Sequence, residues 1–130
     1  MSWDLLVMRL PEGTRSLAQL PTGFEPLSLG SRGRLVSTLT ALGAEWIVVE
    51  HRTLGVIRED HFVLEIELPS GPLDHVTLTL HGEDAIDAAR AVVDALDACA
   101  VDLDTDVVVD LGAPASRRQA RRSLELACTA

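Results

Sequence analysis

Two stretches of the chain, 61–68 and 73–81, alternate polar and apolar residues. Such a period of two is what a half-buried strand requires, because successive side chains leave a strand on opposite sides. Phe62, Leu64, Ile66 and Leu68 then share one side of the first strand, and Val76, Leu78 and Leu80 share one side of the second. The other side carries His61, Val63, Glu65, Glu67, His75, Thr77, Thr79 and His81. Pro69, Ser70, Gly71 and Pro72 punctuate the join and predict a hairpin. Both apolar sets must face the same core, which restricts the register to pairs whose numbers have an even sum. A three-residue loop of Ser70, Gly71 and Pro72 places Glu67 opposite His75 and His61 opposite His81.

The flanking pattern supplies the other elements. Residues 3–10 are apolar on both sides, as expected of a strand in mid-sheet. Residues 11–30 hold Pro11, Gly13, Pro21, Gly23, Pro26 and Gly30, too many breakers for anything longer than a short turn around Ser16 to Leu20. Leu17, Leu20, Phe24, Leu27 and Leu29 nevertheless predict an ordered loop laid over the core, since burying each contributes roughly 1.5–3 kcal/mol. Ser31 as N-cap, Leu35, Val36, Leu39 and Leu42 on one face, and Gly43 as the stop predict a helix over 32–42. Strand composition returns at 46–49 and 54–58, either as one bent strand or as two short ones.

A second helix follows Glu83 and Asp84, with Ile86, Ala89, Val92, Val93, Leu96 and Cys99 as its buried stripe. Its wet side carries Asp87, Arg90, Asp94 and Asp97, with Arg90 at ion-pair spacing from Asp87 and Asp94. Residues 101–111 read as a last strand, with Val101, Leu103, Thr105, Val107 and Val109 on one side and Asp102, Asp104, Asp106 and Asp110 on the other. Beyond Gly112 and Pro114, residues 116–127 predict a weak helix whose apolar seam is only Ala120, Leu124 and Ala127. The expectation is a two-layer α+β domain over 1–111, β-α-β-β-β-α-β, with a mostly antiparallel sheet of about five strands. Its two main helices cover one face, and residues 112–130 form an arginine-rich appendage.

Charge narrows the partners. Up to Asp110 there are nineteen acids against seven arginines, and from Leu111 onward four arginines against Glu125, which together give the net −9. Phosphate-rich nucleic acid and anionic lipid are repelled by such a body, while a basic protein partner is drawn to it. The apolar runs 46–49 and 107–109 fall far short of the roughly 20 residues that cross a bilayer. Met1-Ser2-Trp3-Asp4 lacks the basic segment of an export signal, and Cys99 and Cys128 are too few for a disulfide framework, so a cytoplasmic setting is expected. All eleven Lys or Arg positions are arginine, which looks like the codon bias of a GC-rich bacterial genome.

Candidate chemistry is sparse. His61 and His81, directly opposed, would offer a transition metal two nitrogen ligands; cross-strand polar pairing on a wet face is the plainer reading. Asp102, Asp104 and Asp106 resemble the start of a calcium loop, but Val107 stands where that loop needs glycine and Ala113 where it needs glutamate. No serine sits in a nucleophile elbow, and no glycine-rich loop has phosphate-binding spacing. Arg117, Arg118, Arg121 and Arg122 recur at helical spacing in the appendage, suited to lie against the acidic edge or a neighbouring subunit.

The opening Met1-Ser2-Trp3-Asp4, then Leu20-Pro21-Thr22-Gly23-Phe24-Glu25-Pro26 and Leu29-Gly30-Ser31-Arg32, resembles a family of small bacterial proteins of unassigned function, over most of residues 1–110. That family has a tryptophan-glycine step before the meander, where this chain has Leu54-Gly55, and a threonine-glycine-glutamate near the last strand, where it has Thr105-Asp106-Val107. The resemblance implies no chemistry. The expected function is therefore a non-catalytic, acidic protein-interaction module, an adaptor, toxin-neutralising or chaperone-like protein without a cofactor, binding a protein or itself through Glu65, Glu67, His75, Thr77 and Thr79. The alternative is a small metal-binding or hydrolytic enzyme using the His/Glu sheet face.

Overall fold

The computed structural model describes residues 2–112. The elements are β1 (Trp3–Met8), a single 3-10 turn (Leu17–Gln19), α1 (Arg32–Ala41), β2 (Glu45–Val49), β3 (Arg52–Glu59), β4 (Phe62–Leu68), β5 (His75–His81), α2 (Ala85–Ala95), β6 (Cys99–Asp102) and β7 (Val108–Val109). All strand pairs are antiparallel, in the order β2-β3-β4-β5-β1-β6-β7. The fold is α+β as the pattern implies, with seven strands rather than about five. Two readings account for the difference. The stretch 46–58 is a hairpin of two strands, and the expected last strand is also a hairpin, β6-β7.

Alternation decides what goes inside. Leu64, Ile66 and Leu68 of β4 and Val76, Leu78 and Leu80 of β5 are buried, together with Trp3, Leu5 and Val7 of β1. One cluster joins these to Leu35 and Leu39 of α1 and to Ile86, Ala89 and Val92 of α2, so both helices pack on the same sheet face. β1 lies between β5 and β6, the mid-sheet place its two apolar sides imply. Among the described residues, no helix is long and apolar enough to cross a membrane.

Both helices end on the same device. In α1 the Ser31 hydroxyl accepts a bond from the Arg34 N–H at 3.2 Å, and Gly43 at φ 107 lets Ala44 N–H return to Leu39 C=O at 3.1 Å. In α2 the left-handed residue is Asp97, at φ 50, and Ala98 N–H returns to Val93 C=O at 3.1 Å. This is the doubled C-terminal bond pattern that usually calls for glycine. Arg9 then donates Nη2–H to Leu96 C=O at 3.0 Å, satisfying a terminal carbonyl. Cys99 thus leaves the expected helical stripe and opens β6, where it stands opposite Met8.

The acidic run turns for a related reason. Asp102 accepts the Asp104 N–H on its carboxylate at 2.8 Å, its carbonyl accepts the Asp106 N–H at 2.8 Å, and Asp106 sits at φ 59. Aspartate side chains that bond their own backbone two residues on compete with a strand ladder. Asp102 itself is buried, and Trp3 Nε1–H donates to it at 3.1 Å.

The long loop is tied down at its ends. Ser16 caps the 3-10 turn and bridges Val107, Leu17 N–H donates to Asp106 C=O at 2.9 Å, and Val108 N–H donates to Arg15 C=O at 2.9 Å. Leu29 is buried, whereas Leu27 is 70 % exposed, so only part of the loop's apolar content is buried in the core. The expected helix at 116–127, Cys128 and the four tail arginines lie outside the described residues.

Candidate interaction face

Register places the outward side chains in rows across the sheet. One row runs Ile47, Leu54, Glu67, Thr77, Leu6 and Val101 from β2 to β6. The next runs Glu45, Val56, Glu65, Thr79 and Asp4. The surface mixes apolar, polar and acidic side chains, and Glu65, Glu67, Thr77 and Thr79 stand in these two rows.

Cover is uneven. The chain leaving β1 is bridged at Ser16 to Val107 beside β7, and the outward Met8 and Val101 at that end of the sheet are buried. Over β2 to β5 no described element lies on this face, and Val63, Leu54 and Val56 remain partly open.

The histidines do not meet as expected. β4 and β5 pair with Leu64 opposite Leu80, so His81 faces Val63, while His61 falls in the turn between β3 and β4. The pairing keeps the even sum but slides by one step of two residues, because Pro69 to Asp74 all remain outside the ladder and Glu67 faces Thr77 instead of His75. His81 lies diagonal to Glu65, with Nε2 at 3.6 Å from Oε1, too far for a hydrogen bond; that nitrogen is buried without a partner. Among the described residues, no three His, Cys, Asp or Glu side chains gather as a metal-binding group.

Two side-chain pairs mark one end of the face. Arg52 Nε–H donates to Glu67 Oε1 at 2.5 Å, and His75 Nδ1 lies 2.7 Å from Asp74 Oδ1. A cleft of about 550 Å³ opens there, lined in part by His51, Arg52, Glu67, Ser70, Asp74 and His75. The sequence reading passed over His51 and Asp74. The signal for them is the meander itself, whose register carries the β2-β3 turn to the side of the β4-β5 loop. Glu50 and His51 form that turn with φ of 50 and 66.

No family model, curated protein or solved structure matches the chain.

The hydrogen bond from Arg52, helped by its charge, holds the Glu67 carboxyl below its ordinary value of 4.5 and raises the arginine in turn. A carboxyl depressed by folding stabilises the protein above its unfolded value and loses that contribution as pH falls through the folded one. Glu67→Gln is therefore expected to reduce stability slightly at neutral pH and not at all below the glutamate range. The difference should shrink in 1 M salt, because the pair is exposed. Urea titrations at pH 7 and pH 3 check it.

Proposed function

We propose that this chain is a non-catalytic protein-interaction module, adaptor, toxin-neutralising or chaperone-like, that works through the sheet face opposite its helices. The observation that supports this reading is the bare area over β2 to β5, where Leu54, Val56 and Val63 alternate with Glu65, Glu67, His75, Thr77 and Thr79. Mixed surfaces of this kind are typical of transient interfaces, in which polar groups set specificity and the apolar centre excludes water. The net charge of −9 favours a basic partner. The resemblance to a family of small bacterial proteins is compatible with this role.

The test compares two surface variants of the full chain, immobilised and exposed to native lysate at low salt. Thr79→Arg alters the centre of the face, and Asp94→Ser alters the exposed side of α2. The species captured by the wild type should be kept by Asp94→Ser, lost by Thr79→Arg, and released as salt rises. Equal capture by both variants, or capture of nothing, overturns the reading. Stoichiometric zinc, nickel or copper in the purified protein would favour the metal-binding alternative.

A further inference from the structure

β2 is the end strand of the sheet, and among the described residues no strand pairs with its outer edge. Its sequence is Glu-Trp-Ile-Val-Val, without proline or lysine, and Ile47, Val48 and Val49 are 48 %, 75 % and 46 % exposed. The other end differs, since β7 is two residues long and its neighbour Val107 is bridged by Ser16. Natural sheets protect or shorten exposed edges, because unpaired N–H and C=O groups are templates for another strand.

The turn fixes which groups are unpaired. A two-residue hairpin turn with both central residues at positive φ closes on a hydrogen-bonded pair, here Val49 and Arg52. Ladder bonds alternate, so Val49, Ile47 and Glu45 bond to β3, while the N–H and C=O of Trp46 and Val48 point away from the sheet. Trp46 is held in place on the helix side: its Nε1–H donates to Thr40 Oγ1 at 2.8 Å, and its ring lies over Gly55, where a Cβ would come within 3.0 Å.

We propose that β2 pairs antiparallel with β2 of a second copy, about a two-fold axis at Ile47. In that register Trp46 and Val48 of one copy exchange main-chain bonds with Val48 and Trp46 of the other. Ile47 faces Ile47, and Glu45 faces Val49. All five residues of the strand are paired, apolar groups meet across the axis, and no two acids are opposed. Moving the axis to Val48 would set Trp46 against Glu50, and moving it to Trp46 would leave Val49 against Gly43. Charge also permits a second copy at this edge. β2, β3 and the turn between them carry Glu45, Glu50 and Glu59 against Arg52 and Arg58, a local net of −1 in a chain of net charge −9. Pairing joins two sheets into one, so the interaction faces of both copies become continuous. The inference does not rest on what those faces bind.

Light scattering on the full chain should give a mass of twice 14.0 kDa at micromolar concentration. The dimer should strengthen with salt, which screens repulsion between two acidic bodies, whereas a basic partner strand would dissociate. Val48→Pro removes an N–H that the ladder to β3 does not use, and Val48→Lys adds an edge charge without altering the backbone. Each should fold, by circular dichroism, and run as a monomer. With Cys99 and Cys128 replaced by serine, Ile47→Cys should oxidise to a linked dimer, because a non-hydrogen-bonded pair brings its Cα atoms to about 4.5 Å. Glu45→Cys should remain unlinked. A wild type that is monomeric at all concentrations, a dimer unchanged by both Val48 variants, or linkage through residue 45 instead of 47 overturns the proposal.

Discussion

Asp102→Ala is expected to lower the unfolding free energy by about 2–5 kcal/mol, since it leaves the buried Trp3 Nε1–H and the Asp104 N–H without the oxygens that receive them. The buried indole donor costs about 1–3 kcal/mol when orphaned, the part-buried Asp104 bond contributes about 0.5–1.5 kcal/mol, and the truncation opens a small void beside β1. The carboxylate serves both donors because they approach different oxygens, Trp3 at Oδ2 and Asp104 at Oδ1. Asp102→Asn keeps the volume but has a single side-chain oxygen, so it should fall between wild type and alanine. Urea denaturation with an unchanged slope gives the comparison. A loss below about 0.5 kcal/mol for alanine would mean the pairing is incidental to stability.

Gly82→Ala should be comparably damaging for a different reason. Gly82 has φ +96, and a Cβ there would stand 2.8 Å from the His61 carbonyl oxygen, a backbone atom of the turn before β4. Positive φ in a residue with a side chain costs of order 1–3 kcal/mol, and the clash adds to it, for a total of about 2–4 kcal/mol. Gly13→Ala separates the two contributions. Gly13 has φ +83, and nothing lies within 4 Å of its added Cβ, so its loss reports backbone conformation alone. If the two variants melt together, the contact with His61 does not constrain the join between β5 and α2.

The parts of the fold legible in the chain were those where one periodicity acts without competition. In β4 and β5 the even positions are buried, apart from the half-buried Phe62 at the start of β4, and Ser31 and Gly43 bound α1 where their chemistry says they should. Register was less legible. Parity admits several pairings, and the extent of the loop from Pro69 to Asp74 chooses among them. The end of α2 and the turn after β6 were concealed because aspartates occupy the left-handed positions, Asp97 and Asp106, where glycine would have announced a break. Alternation with valine and leucine also imitated a strand over 101–111, while the side-chain bonds of Asp102 and Thr105 bend the backbone. The outward residues of the candidate face were readable from β4 and β5 alone. Their neighbours Leu54 and Val56, and the cleft shared by His51 and Asp74, depend on pairings between hairpins that no local pattern records.

The place of β1 bears on how the protein comes into being. β1, made before the other six strands, takes both of its hydrogen-bonded neighbours from residues 75–81 and 99–102, so its ladder waits until all of these have been synthesised. Long-range closure of this kind raises contact order and slows folding. Until it occurs, Trp3, Leu5 and Val7 belong to a nascent segment open to chaperones, and every truncation before residue 99 leaves that segment with at least one flank unmet.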